Sequence, residues 1–293
     1  GNNVEETWKN ALNSVSGIHK TTSLDTKNCY ADLAAEVNCD TLDDIECPDE
    51  KDRASKLCIK AAKEALNDAG LGDFADSSRV SVIIGSCVGG VLSIEKYHCG
   101  GKDVHEIPKM PIAAIASQVA ESCHAGGIVT NVGNACAAGT ISIALACDLI
   151  RAGKADVVIA GGSDSFASVP YSGFLSLHAL DENGCSPFNH CNGITLGEGA
   201  GIVIVESLEH AEKRNAKRYC EVLGAGVTSD AHHITAPRED GICLLEAMDR
   251  AVKNSGIKKT DIGYLNAHGT GTGKNDNAEI NAFHKFFDEE NPT

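Results

Sequence analysis

The chain has 293 residues, of which 42% are hydrophobic and 23% charged, and a formal net charge of −16. That is globular chemistry, long enough for one large domain or two smaller ones, and its acidity argues against a nucleic-acid binder, which needs clustered Lys and Arg. No run approaches the roughly 18 apolar residues of a membrane span; the 13 cysteines form no Cys-x-x-Cys pair or zinc spacing, so no metal is expected and the thiols read as reduced and cytoplasmic.

In chain order, the sequence predicts a helix over 4–13, then polar loop with an acidic stretch at 40–52. From Asp52, apolar residues recur at helical spacing up to Ala69, and Gly70 ends the helix. Val80-Ser81-Val82-Ile83-Ile84 is a β-branched run closing in Gly85, the pattern of a strand covered on both faces. A second apolar run, 127–132, precedes an amphipathic helix over 140–150 and a third strand over 156–162. Strand–helix–strand order implies a parallel crossover. A glycine-rich loop over 186–201 leads into a strand at 202–205. A further helix leads into the predicted strand Ile262–Leu265. Residues 61–84 and 243–266 share a weak helix–strand–glycine-loop pattern, as in two related α/β halves.

Two loops carry candidate chemistry. Cys136 stands in Gly133-Asn134-Ala135-Cys136-Ala137-Ala138-Gly139-Thr140. On a strand-to-helix turn it faces the positive end of a helix dipole, which favours the nucleophilic thiolate. Its small neighbours let the backbone turn sharply and a substrate carbonyl approach. His268 stands in Asn266-Ala267-His268-Gly269-Thr270-Gly271-Thr272, after a predicted strand. Side chains beyond strand ends in parallel sheets converge, so His268 is expected within reach of Cys136. The phosphate-binding and dinucleotide glycine patterns fail on spacing, and no Gly-x-Ser-x-Gly elbow occurs.

Taken with Ser186-Pro187-Phe188 and Leu196-Gly197-Glu198-Gly199-Ala200-Gly201, these segments resemble the β-ketoacyl-[acyl-carrier-protein] synthases. The segment Asp230-Ala231-His232-His233-Ile234-Thr235 is similar to the family's pantetheine-tunnel stretch. The resemblance covers essentially the whole chain. It implies a thiolase-like α/β fold, duplicated and layered α/β/α/β/α with mostly parallel sheets. It divides the chain into an N-terminal half, 1–215, and the start of a C-terminal half, 216–293. It further implies decarboxylative condensation of acyl-ACP with malonyl-ACP in fatty acid biosynthesis, with Cys136 as acyl acceptor and His268 assisting at the enolate. Thr270 and Thr272 match positions that contact the phosphopantetheine arm, Thr235 lies in the tunnel stretch, and Phe174 is a candidate for the acyl pocket. Glu279 matches a carboxylate that anchors a lysine.

No separate cofactor is implied, because the substrates ride on the phosphopantetheine of acyl carrier protein. That protein is the expected partner, together with a second copy or a paired ketosynthase subunit. Its acidity leads us to expect a basic docking patch, from Lys51, Arg53, Lys56 and Lys60 or from Lys213, Arg214, Lys217 and Arg218. A polyketide or aryl-polyene ketosynthase would use the same residues. A thiolase is disfavoured by the His-Gly-Thr-Gly-Thr loop, and a non-catalytic chain-length-factor-like subunit by Cys136. Against the family pattern the chain reads as truncated at both ends: the first core strand and a second catalytic histidine are missing. The chain by itself is therefore expected to be poorly folded or inactive in condensation. Residues 188–193 also depart locally from that pattern.

Overall fold

The β-branched runs of the sequence become the centre of one mixed sheet. Val80–Gly85 (β1), Val129–Val132 (β2), Val157–Asp164 (β3) and Gly199–Glu206 (β4) stand in the order β2-β1-β3-β4. The computed structural model describes residues 1–37, 51–72 and 74–287. Most of the acidic stretch 40–52 lies outside the described residues. β1 runs parallel to both β2 and β3, with Ile83 opposite Thr130 and Ala160. The crossover from β2 to β3 is therefore parallel, with β1 between them. β4 returns antiparallel to β3, Ala160 facing Val203.

The chain divides into two compact units. The first comprises 1–24, 34–172 and 197–220 and contains the sheet. Its helices are α1 (Val4–Leu12), α2 (Arg53–Ala69), α3 (Val91–Cys99), α4 (Ala113–Ser122), α5 (Ala138–Arg151) and α7 (Leu208–Lys213). α6 (Ser168–Ser176) straddles the boundary between the units. All six residues of β1 are buried, as a strand covered on both faces must be. Val80, Val82 and Ile84 pack with Ile59, Leu66, Ile115 and Val119 of α2 and α4. Ile83, Val158 and Ala160 point to the other face and pack with Ala146, Ile143 and Ile150 of α5. The period-two alternation of a strand thus sorts its residues between two helical layers.

The helix ends follow local chemistry. Asp52 caps α2 by accepting from Ala54 N at 3.0 Å, and its other oxygen accepts from Ser93 N and Oγ, at 3.1 and 2.7 Å. Gly70 ends α2 at φ +65°, the left-handed conformation that glycine adopts without a Cβ penalty.

The second unit comprises 25–33, 173–196 and 221–293 and holds α8 (Ile242–Ser255) and α9 (Gly273–Phe287). Its segment 224–228 lies on α8: Asn254 Nδ2 donates to Ala225 O, Arg250 to Val227 O, and Thr228 Oγ1 to Cys243 O. The predicted strand Ile262–Leu265 is not one: among the described residues it has no ladder partner and takes no strand assignment. An apolar β-branched run becomes a strand only when another strand accepts its hydrogen bonds.

One ion pair ties the end of the sheet to a helix terminus. Arg214 donates to both oxygens of Glu206, at 2.6 and 2.7 Å, and its third nitrogen donates to Ala69 O, the last residue of α2, at 2.6 Å. Burial pushes the Glu206 carboxyl up, but hydrogen bonds from Arg214 and His210 outweigh it and hold it below the usual carboxylate range. Arg214→Met leaves Glu206 with His210 as its side-chain partner and should lower unfolding free energy in urea by about 2 kcal/mol. Because the folded value is depressed, the contribution is present above the ordinary 4.5 and is lost as pH falls through the folded value. Glu206→Gln should flatten that acid limb of the stability profile.

Candidate active site

The site is assembled by glycines that let a helix sit directly on the sheet. A Cβ at Gly85, the last residue of β1, would lie 2.3 Å from the carbonyl carbon of Ala138, and one at Gly162 would lie 3.2 Å from Gly139 Cα. No side chain larger than hydrogen fits at Gly85. Ser142, fully buried on α5, bonds Gly139 O and Gly161 O at 2.6 and 2.7 Å and accepts from Gly161 N at 3.1 Å. The first turn of α5 is thereby fixed on β1 and β3.

Cys136 sits immediately before this turn, in a short 3-10 turn Ala135–Ala137 that runs into α5. Ala135 has φ +43°, a left-handed conformation that costs an alanine about 1–2 kcal/mol. The strain turns the chain abruptly and leaves the Cys136 residue exposed.

Across from it, the turn after β1 is wrapped around one carboxylate. Asp164, at the end of β3, accepts from Ser86 Oγ at 2.6 Å, Cys87 N at 2.9 Å and Val88 N at 3.0 Å. Gly89 N donates back to Ser86 Oγ at 2.9 Å. Cys87, also exposed, is thereby placed on the same pocket as Cys136, two residues beyond the contact of Gly85 with Ala138. The neighbouring Cys136, burial and the Asp164 charge push the Cys87 thiol up from the ordinary thiol range.

Cys136, Cys87, Asp164 and Glu198 border one pocket of about 340 Å³, together with Gly85, Gly139 and Gly162. Glu198 is buried and fully partnered. Arg53 grips it with Nε at 2.9 Å and Nη2 at 2.6 Å, and the N–H groups of Val37 and Phe166 donate at 2.8 and 3.0 Å. In the sequence Glu198 stands only as one residue of the motif 196–201. Its isolated position between glycines, where nothing demands a charge for solubility, was the available signal.

Most cations of the two expected basic patches are engaged in ion pairs. Arg53 is committed to Glu198 and Arg214 to Glu206. Lys51 pairs with Glu121, Lys213 with Glu209, Lys217 with Asp68 and Arg218 with Glu212. In an acidic chain most of these cations face a carboxylate rather than pooling their charge.

In the second unit, two buried carboxylates hold the His268 loop. Glu279 of α9 accepts from His268 N at 2.7 Å, Gly269 N at 2.8 Å and Asn275 Nδ2 at 2.8 Å. Asp276 accepts from Phe188 N at 2.8 Å, Gly271 N at 3.2 Å and Cys191 Sγ at 3.2 Å. Burial raises the Asp276 carboxyl, yet these donors hold it below the usual carboxylate range. Thr270 and Thr272 share a hydrogen bond of 2.9 Å. His268, Thr270, Thr272 and Glu279 are thus gathered on one loop and the helix beneath it. Glu279 grips that loop's own backbone. Thr235 and Phe174 sit outside this carboxylate-held loop: Thr235 is exposed and donates to His233 Nδ1 at 3.1 Å, and Phe174 is half-buried on α6. Asp276 was missed from sequence, although an acid in the first turn of a helix is a recognisable cap.

Two substitutions test these constructions. Ala135→Val, a β-branched residue at positive φ, should lower stability by about 2 kcal/mol, whereas Ala135→Gly should be neutral or stabilising; urea denaturation reads both. Glu279→Leu removes charge-assisted acceptors, each typically about 1.5–3 kcal/mol. Amide exchange at His268 and Gly269 should then accelerate more than about ten-fold.

Family models match both parts of the chain: "Beta-ketoacyl synthase, N-terminal domain" over 1–211 and "Beta-ketoacyl synthase, C-terminal domain" over 219–293. A 3-oxoacyl-[acyl-carrier-protein] synthase 2 of Staphylococcus aureus is 38% identical over 99% of this chain and 74% of its own length. One of the same name from Vibrio cholerae is 34% identical over 96% and 72%. Among solved structures, the ishigamide ketosynthase/chain length factor superposes with a TM-score of 0.90 at 30% identity, covering 99% of this chain and 75% of that one. A type II PKS acyl-carrier protein in complex with its ketosynthase bound to the hexaketide gives 0.87 at 27% identity, covering 98% and 74%. The fold is accordingly thiolase-like.

Proposed function

The chain belongs to the β-ketoacyl synthase family, and we propose that it accepts an acyl group on Cys136 and supports carbon–carbon bond formation with a malonyl unit carried by acyl carrier protein. The observation that carries this reading is the seating of Cys136: an exposed thiol on a strained turn, directly before α5, at the edge of a pocket. A thiolate there is favoured by the helix terminus. It attacks the carbonyl of acyl-ACP, and the carrier's thiol leaves with a proton. Backbone N–H groups at the start of α5 are the natural donors to the tetrahedral oxyanion, with Cys136 N first among them.

The second substrate, malonyl-ACP, then loses carbon dioxide, and the electron pair of the broken bond becomes the enolate. His268 donates to the developing enolate oxygen. The enolate carbon attacks the Cys136 thioester, the Cys136 thiolate leaves, and 3-oxoacyl-ACP is released. Thr270 and Thr272 would receive the phosphopantetheine arm, with Thr235 in the tunnel and Phe174 against the acyl chain. Glu279 acts through the loop that it holds. The chemistry needs no cofactor beyond the carrier's arm.

Fatty acid synthesis is the pathway favoured by the 38% identity to the Staphylococcus aureus synthase. The likeness to a polyketide ketosynthase and to a ketosynthase/chain length factor favours a second reading, repeated extension with a paired subunit. Incubation with radiolabelled acyl-ACP should label the protein covalently, and Cys136→Ala should lose the label. Equal label in both would remove the assignment. Product length after malonyl-ACP is added separates single from repeated extension.

A further inference from the structure

Cys87 has no part in the acyl transfer described above, yet it is the side chain that meets the nucleophile. Its backbone is held by Asp164, Gly85 two residues before it lies against Ala138 two residues after Cys136, and both cysteines are exposed at the same pocket. A Ser, Ala or Gly at 87 would leave those backbone bonds to Asp164 intact, so a second thiol is not required by the turn. We propose that Cys87 and Cys136 are a two-thiol modification site, which a low-molecular-weight disulfide oxidises to an intramolecular Cys87–Cys136 bond.

The exchange is a two-step thiol–disulfide reaction. The Cys136 thiolate attacks one sulfur of the small disulfide RSSR; a Cys136–SR bond forms, the RS–SR bond breaks and RS⁻ leaves. Cys87 then attacks the Cys136 sulfur, forming the Cys87–Cys136 bond and expelling a second RS⁻. The proton of Cys87 leaves with that group, so two protein thiols and RSSR give one protein disulfide and two RSH. The order of attack follows from the site: Cys136 lies directly before the N-terminus of α5, whose positive end favours its thiolate, while Cys87 stands beside the Asp164 carboxylate, which disfavours a second negative charge. Cys87 is thus the resolving thiol, and its step should accelerate as pH rises.

The bond itself is independent of the proposed acyl transfer; its consequence rests on that reading, because an oxidised Cys136 has no thiolate to acylate. The test uses the reduced full chain and glutathione disulfide as the probe. Intact mass should show loss of two hydrogens rather than gain of one glutathione, and a non-reducing peptide map should join the peptides containing Cys87 and Cys136. Cys87→Ala should instead accumulate glutathione on Cys136. A wild-type protein that accumulates that adduct, or whose linked peptides involve other cysteines, overturns the proposal whether or not the variant folds. Acyl labelling of wild type should fall more than ten-fold on oxidation and return on reduction. Undiminished labelling of the disulfide-bonded protein would refute the closure, whereas absence of label in both states would sink the acyl-acceptor reading and leave the linked peptide standing.

Discussion

A contact with no side chain in it governs the first unit. The opening turn of α5 lies on β1 and β3 so closely that Gly85 and Gly162 meet Ala138 and Gly139 backbone to backbone. Core packing tolerates no gap, and here the fit is made of main-chain atoms, which cannot change rotamer. The helix position is therefore not adjustable by small shifts. Everything at its N-terminus, including the strained Ala135 and the thiol after it, takes its place from that fit. Ser142 adds direction to it, because its bonds to Gly161 tie the helix to β3 at one point along its axis.

Around this joint, carboxylates do the positioning. Asp52, Asp164, Glu198 and Asp276 each gather backbone N–H groups from segments distant in sequence, and Glu279 gathers those of the loop before its own helix. A carboxylate accepts several hydrogen bonds and gives none, so one acid can hold a whole turn. Such groups would be costly in the interior if any acceptor went unmet, and the donors found here account for them. Part of the acidity of the chain is thus structural, and composition alone did not distinguish it from a solvated surface.

The sheet, its parallel pairs and the helices around α2 and α5 were legible because they are local patterns of burial. The continuous apolar run at 80–84 and the helical spacing in 54–69 state which faces are covered. The turn at Cys136 was legible from its small residues. What escaped was set by partners far along the chain. Glu198 means little until Arg53 is seen beside it, and the acids that pair with Arg214 and Lys213 are likewise visible only in three dimensions. The segment 262–265 has the composition of a strand, but pairing is a property of two segments, and a single run carries no information about its partner. Cys87 looked like one thiol among 13; only three-dimensional placement sets it against Cys136.

The glycine floor has an implication for how such a site diversifies. A side chain at Gly85 is excluded by main-chain contact, so variation has more room in the walls, at positions such as the exposed 87. A lineage can then change what its pocket admits, or what chemistry touches its thiol, while the thiol stays where it is. The floor conserves position and the walls are free to explore.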